Sequence, residues 1–114
     1  MARGQLPAAS LHVLLALVEG DKHGYAVMRD VEQLSDGAVR MGPGTLYGTI
    51  KRLLADGLIE EVTGGAAAHA DEERRRYYRL TGAGEHVAAA EVARLRTLLT
   101  RVGRLRPDLG GGAP

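Results

Sequence analysis

Apolar residues recur along the chain at helical spacing in several blocks, separated by glycine and polar breaks. Leu11, Leu14, Leu15 and Val18 lie three or four positions apart and stop at Gly20, which predicts a first helix from about Pro7 to Glu19. Beyond the "GDKHG" break, Tyr25, Met28, Val31 and Leu34 repeat every third residue. Ser35-Asp36-Gly37 then supplies turn chemistry, so a second helix is expected over about Tyr25 to Ser35. In "PGTLYGTIKRLLADG", Leu46, Ile50, Leu53 and Leu54 form an i, i+4, i+7, i+8 stripe that predicts a third helix from Pro43 to Ala55. Pro43 suits the first turn because its missing N–H has no intrahelical partner there, and Gly57 suits a left-handed cap.

The period then changes. "LIEEV" (Leu58 to Val62) and "RRYYRL" (Arg75 to Leu80) read as short strands joined by a loop rich in Gly, Ala and acid, hence a hairpin. Thr81 offers an N-cap for a last helix that runs to about Arg106, where Pro107 stops it and "DLGGGAP" reads as a disordered tail. Along that helix Ala88, Val92, Leu95, Leu99 and Val102 are spaced 4, 3, 4, 3, a heptad seam. A helix of roughly 25 residues spans about 37 Å, longer than a small domain is wide. Two readings are open: the stripe folds back over the first helix, or it pairs with a helix of another chain. A homodimer is the simplest form of the second.

Three helices followed by a two-stranded hairpin is the order of a winged helix-turn-helix, in which the third helix is presented to the major groove. The expected fold is mainly α with a small β-hairpin, followed by a long C-terminal dimerisation helix. Residues 1–80 form the DNA-binding domain, 81–106 the dimerisation helix and 107–114 the tail. At 100° per residue, Gly44, Thr45, Gly48, Lys51, Arg52 and Ala55 lie opposite the apolar stripe of the third helix. This face is either solvated or a slim, basic surface able to enter a groove and reach phosphates or guanine edges. "ERRRYYR" (Glu73 to Arg79) sets four arginines, Arg74, Arg75, Arg76 and Arg79, beside two tyrosines. They either line a DNA backbone or minor groove, or pair with Glu60, Glu61, Glu72 and Glu73.

Composition narrows the classes. The 114 residues fit one small domain, and 25% charged with 45% apolar residues is a soluble globular balance. Without cysteine there is no disulfide, thiolate zinc site or thiol nucleophile, which fits a reducing cytoplasm. The four histidines, His12, His23, His69 and His86, show no metal-ligand spacing, and no cofactor is expected. Arg3 and "LHVLLALV" faintly resemble a signal peptide, but His12 and the following "EGDK" favour a buried first helix, too short to span a bilayer. A net charge of +1 argues against coating nucleic acid indiscriminately, yet the clustered arginines allow a basic face. No nucleophile, base and orienting group stand at a recognisable spacing, so an enzyme is not expected.

The pieces "HGYAVMRDVEQLSDGAVRMGPGTLYGTIKRLLADGLIEE" and "RRRYYRLTGAGEHVAA" together resemble the PadR family of bacterial transcriptional regulators over His23 to Ala89. The resemblance implies a dimeric winged-helix repressor, with Tyr25, Thr45 and Tyr47 in DNA contact and Lys51 and Arg52 completing the recognition surface. Tyr47 lies at the edge of the apolar side, so packing against the second helix is its alternative role. The tip "AAAHADEE" is more acidic than the family's basic wing. Some members sense aromatic small molecules at the dimer centre; a small-molecule effector is a candidate partner here, but without Phe or Trp it lacks an obvious stacking platform. The expected function is a sequence-specific DNA-binding transcriptional regulator, a homodimeric repressor on an inverted-repeat operator, with double-stranded DNA and a second copy as partners and no membrane. The alternative is a winged-helix protein–protein interaction module whose last helix pairs with a different chain.

Overall fold

The computed structural model describes residues 6–62 and 76–110. Helix α1 spans Ala8–Ala16, strand β1 Lys22–His23, α2 Gly24–Leu34, α3 Pro43–Ala55, β2 Ile59–Val62, β3 Tyr77–Leu80, α4 Gly82–Leu105 and a single turn, α5, Pro107–Gly110. The strands form an antiparallel sheet in the order β1-β3-β2, with Ile59 opposite Leu80, Glu61 opposite Tyr78, and Lys22 opposite Tyr78 from the other side.

The expected hairpin is therefore present but joined by a third strand, β1, drawn from residues that read only as a break. β1 carries no period because it is two residues long; pairing with Tyr77 and Tyr78 creates it. The first helix ends at Ala16, short of Glu19, because Leu17, Val18 and Gly20 close tight turns onto Leu14, Leu15 and Leu17. The expected disordered tail does not begin at Pro107: residues Pro107–Gly110 form a helical turn started by that proline.

Local chemistry explains the helix ends. The His23 ring accepts the Ala26 N–H at the start of α2 and stands edge-on to Tyr77, 5.6 Å between centroids. At the other end of α2, the Ser35 hydroxyl donates to the Val31 carbonyl and accepts the Val39 N–H, both at 2.9 Å, steering the chain toward α3. Gly57, at φ +75°, turns α3 into β2, a left-handed position where a side chain would be strained.

The core lies among α1, α2, α3 and one face of the sheet. Leu14, Val27, Val31, Leu46, Leu53 and Ile59 are fully buried there, each removal from water worth roughly 1.5–3 kcal/mol. α4 is fastened at its base. The Thr81 side chain accepts the Gly84 N–H at 3.0 Å and donates to the Gly57 carbonyl, while the Thr81 N–H donates to the Leu58 carbonyl at 3.1 Å. Gly84 sits so close that a Cβ would overlap the Leu58 carbonyl oxygen.

Candidate nucleic-acid interface

Leu46, Ile50 and Leu53 point inward from α3, so its opposite face is outward: Gly44, Thr45, Gly48, Lys51, Arg52 and Ala55 are all exposed. Nothing lies within 4 Å of where a Cβ would stand at Gly44 or Gly48, so the fold itself does not need glycine there. Lys51 and Arg52 form no ion pair among the described residues. They are cations held in water on a rigid helix, available to phosphate or base edges.

The tyrosines gather beside this face. Tyr25 is 62% exposed on α2 and Tyr47 49% exposed on α3. The Tyr47 ring crosses the start of α2 so closely that a Cβ on Gly24 would stand 2.5 Å from its hydroxyl. Tyr47 thus packs against α2, the alternative role read from the sequence, while keeping half its surface in water. Gly24 is the residue that sequence reasoning missed here, since only the crossing of α2 and α3 shows why it has no side chain.

The arginines of the sheet are in a different state. Arg76 pairs with Glu61 at 3.3 Å and Arg79 with Asp21 at 3.2 Å. The first is the acid pairing foreseen from the flanking glutamates; the second comes from β1, which brings Asp21 beside β3. Arg74 and Arg75 lie outside the described residues. Behind the same sheet edge Lys22 donates to Asp30, and to Glu19 at 3.1 Å, tying β1 to α2 and to the turn that follows α1. Burial alone would lower the Lys22 ammonium pKa; the hydrogen bonds and charges of Asp30 and Glu19 outweigh it and hold it above the ordinary lysine range. Burial, with Glu61 nearby, raises the Tyr78 hydroxyl.

The seam expected on α4 divides. Ala88, read as a dimerisation residue, is 4% exposed and belongs to the core of its own chain, because the base of α4 packs on α1. Val92, Leu95 and Val102 are half-buried, and Leu99 is 65% exposed. Leu98, Leu105 and Leu109 are exposed too, though the strict heptad passed them over. Between α1 and α4 runs an open groove of about 410 Å³ with Leu15, Val18, Glu85, Ala89, Val92 and Ala93 on its walls. Among the described residues no helix is long and apolar enough to cross a membrane.

The profile of the transcriptional regulator PadR-like family matches residues 13–90. The transcriptional regulator Rv3488 of Mycobacterium tuberculosis is 34% identical over 105 residues, covering 90% of this chain and 89% of its own. An uncharacterised 37.1 kDa protein in a Streptomyces fradiae transposon is 36% identical over 94 residues, covering 82% of this chain, which spans only 25% of that protein. Bacillus subtilis PadR, solved in complex with operator DNA, superposes with a TM-score of 0.65 at 18% identity over 78% of this chain and 48% of its own, a likeness of fold. With the three-helix core, the winged sheet and the long α4 in place, the chain belongs to the PadR-like family of transcriptional regulators.

Proposed function

We infer that the chain is a sequence-specific DNA-binding repressor that acts as a homodimer on an inverted-repeat operator. The observation that carries this reading is the outward face of α3, where Lys51 and Arg52 are exposed and unpaired among the described residues beside the open backbone of Gly44 and Gly48. Thr45 and Tyr25 flank that face, and Tyr47 holds α2 against α3 while reaching the same surface. Residues 1–80 read DNA and 81–106 join two copies, with the outer apolar residues of α4 as the contact. Arg76 and Arg79 add to DNA binding less than the α3 cations, because each must first leave an acid. Arg74 and Arg75 are the remaining DNA-binding candidates of the arginine run.

The B. subtilis structural neighbour was solved in complex with operator DNA, which supports double-stranded DNA as the partner of this fold. Selecting bound fragments from the source genome and measuring affinity against salt tests the reading. Specific binding should fall steeply between low and moderate salt as counterions return to the phosphates. A flat salt response, or equal affinity for random DNA, overturns it. Light scattering separates the interaction-module alternative: a repressor is a dimer alone, whereas a module of that kind stays monomeric until its foreign partner is added.

A further inference from the structure

The cations near α3 are in two states. Lys51 and Arg52, on the helix itself, carry no ion pair among the described residues, whereas the others of residues 6–80 are Lys22, Arg29, Arg40, Arg76 and Arg79, and all of these but Arg29 are held by a carboxylate. The Lys22 pair is half-buried and fastens β1. The other three are open to water and border α3. Arg40, two residues ahead of the Gly42 cap that starts α3, pairs with Glu32 of α2 at 3.5 Å. Arg76 pairs with Glu61 of β2, the strand packed against α3, at 3.3 Å, and Arg79 with Asp21 at 3.2 Å where β1 meets β3. These six side chains are 44–75% exposed, and ion pairs in that setting add little to folding stability. What they change is the field that DNA meets.

We propose that Asp21, Glu32 and Glu61 are specificity-determining residues, which mask the arginines bordering α3 so that DNA of the wrong sequence is held weakly. The inference rests on the DNA-binding reading above and concerns how that surface rejects the wrong DNA. A bare arginine attracts phosphates across roughly 10 Å at about 0.1 M salt. An arginine in contact with a carboxylate is close to neutral at that range, and attracts only a phosphate near enough to replace the acid. Two modes of binding feel this differently. An operator complex is fixed in one register by base contacts from α3, so only cations lying along that register meet phosphates. On random DNA no base contact fixes the register, and the protein turns until as many free cations as possible lie on the backbone. Masking the arginines around α3, while Lys51 and Arg52 stay bare, therefore removes more attraction from the second mode than from the first.

Affinities of the full chain for its operator and for random duplex of equal length, each measured against salt, test this. Asp21→Asn, Glu32→Gln and Glu61→Gln, made singly and together, keep the size of each side chain and remove its charge. All three positions are exposed, and unchanged circular dichroism checks that each variant folds. For the triple variant, random-DNA affinity should rise roughly tenfold near 0.1 M salt and its salt slope should steepen by about 2–3, while operator affinity rises less than about threefold. Asp108→Asn is the control: it frees Arg106 on α5, beyond the far end of α4, and changes net charge by the same single unit as each of the others. It should leave both affinities within about twofold. An operator gain as large as the random-DNA gain, an unmoved salt slope, or an Asp108→Asn effect equal to that of Glu32→Gln overturns the masking while leaving DNA binding standing. A parent chain that binds its operator no better than random DNA overturns the DNA-binding reading, and the masking with it.

Discussion

In α3, Leu46, Ile50 and Leu53 are covered by α1 and the sheet, whereas in the outer half of α4 Leu98, Leu99 and Leu105 are about half exposed or more. Both stripes have helical period and similar residues. They differ in what stands within reach. α3 is short and lies between α1 and β2, so its stripe is satisfied inside the chain. α4 is 24 residues, about 36 Å, and its outer end outruns the domain. The radius of gyration, 16.1 Å, exceeds the roughly 13 Å of a compact chain of this length for the same reason. An apolar stripe signals that cover is required; whether the cover is internal depends on length and neighbours.

The largest effect separating the two stripes is expected at Leu53. Leu53→Ala should cost about 2–5 kcal/mol of folding stability, read from the denaturant midpoint, because the site is closed on every side. A loss below 1 kcal/mol would mean that the α3 stripe is not the anchor described. Leu99→Asp should behave oppositely: folding stability within about 0.5 kcal/mol of the parent at dilution, but a dimer weakened by about 2 kcal/mol or more. An unchanged sedimentation profile removes the outer half of α4 from the interface.

The outward face of α3 is tested next. Arg52→Ala should lower operator affinity by about 1–3 kcal/mol and relax preference at one base position. Equal losses on every sequence would assign it to phosphate instead. Gly48→Ala is subtler and carries two signs: helix propensity should raise stability by about 0.5–1 kcal/mol, since the added methyl meets nothing in the free protein, while operator affinity falls. Should both quantities rise, no backbone approaches α3 there. The smallest effect concerns pH. Lys22 and Tyr78 both have raised pKa values in the fold, so their contribution is complete below the unfolded values and lost as pH rises through the folded ones. Their share of stability should be flat through neutral pH and decline only above about pH 10. A thermal midpoint that holds steady through pH 11 would show that neither group contributes.

Much of this organisation was legible before any coordinates. The bounds of α3, the left-handed Gly57 and the Thr81 cap followed from local rules, because each depends on residues within one turn. The missed features all depend on distant partners. β1 exists only through β3; Asp21 meets Arg79 across the sheet; Gly24 lacks a side chain because Tyr47 arrives from another helix. The burial of Ala88 in the core of its own chain has the same origin, since a heptad cannot state which neighbour will fill it.

The joint at the base of α4 has a consequence for the spacing of the whole assembly. Thr81 bonds to both Gly57 and Leu58, and Gly84 rests on the Leu58 carbonyl, so the helix leaves the sheet at a set angle rather than from a free linker. Over a lever of about 36 Å, a tilt of roughly 5° at that joint moves the far end by about 3 Å, close to one base-pair step. In a dimer joined through α4, the separation of the two α3 helices is thus calibrated by a few backbone atoms far from either DNA or the partner, and a single methyl group at position 84 is enough to mistune it.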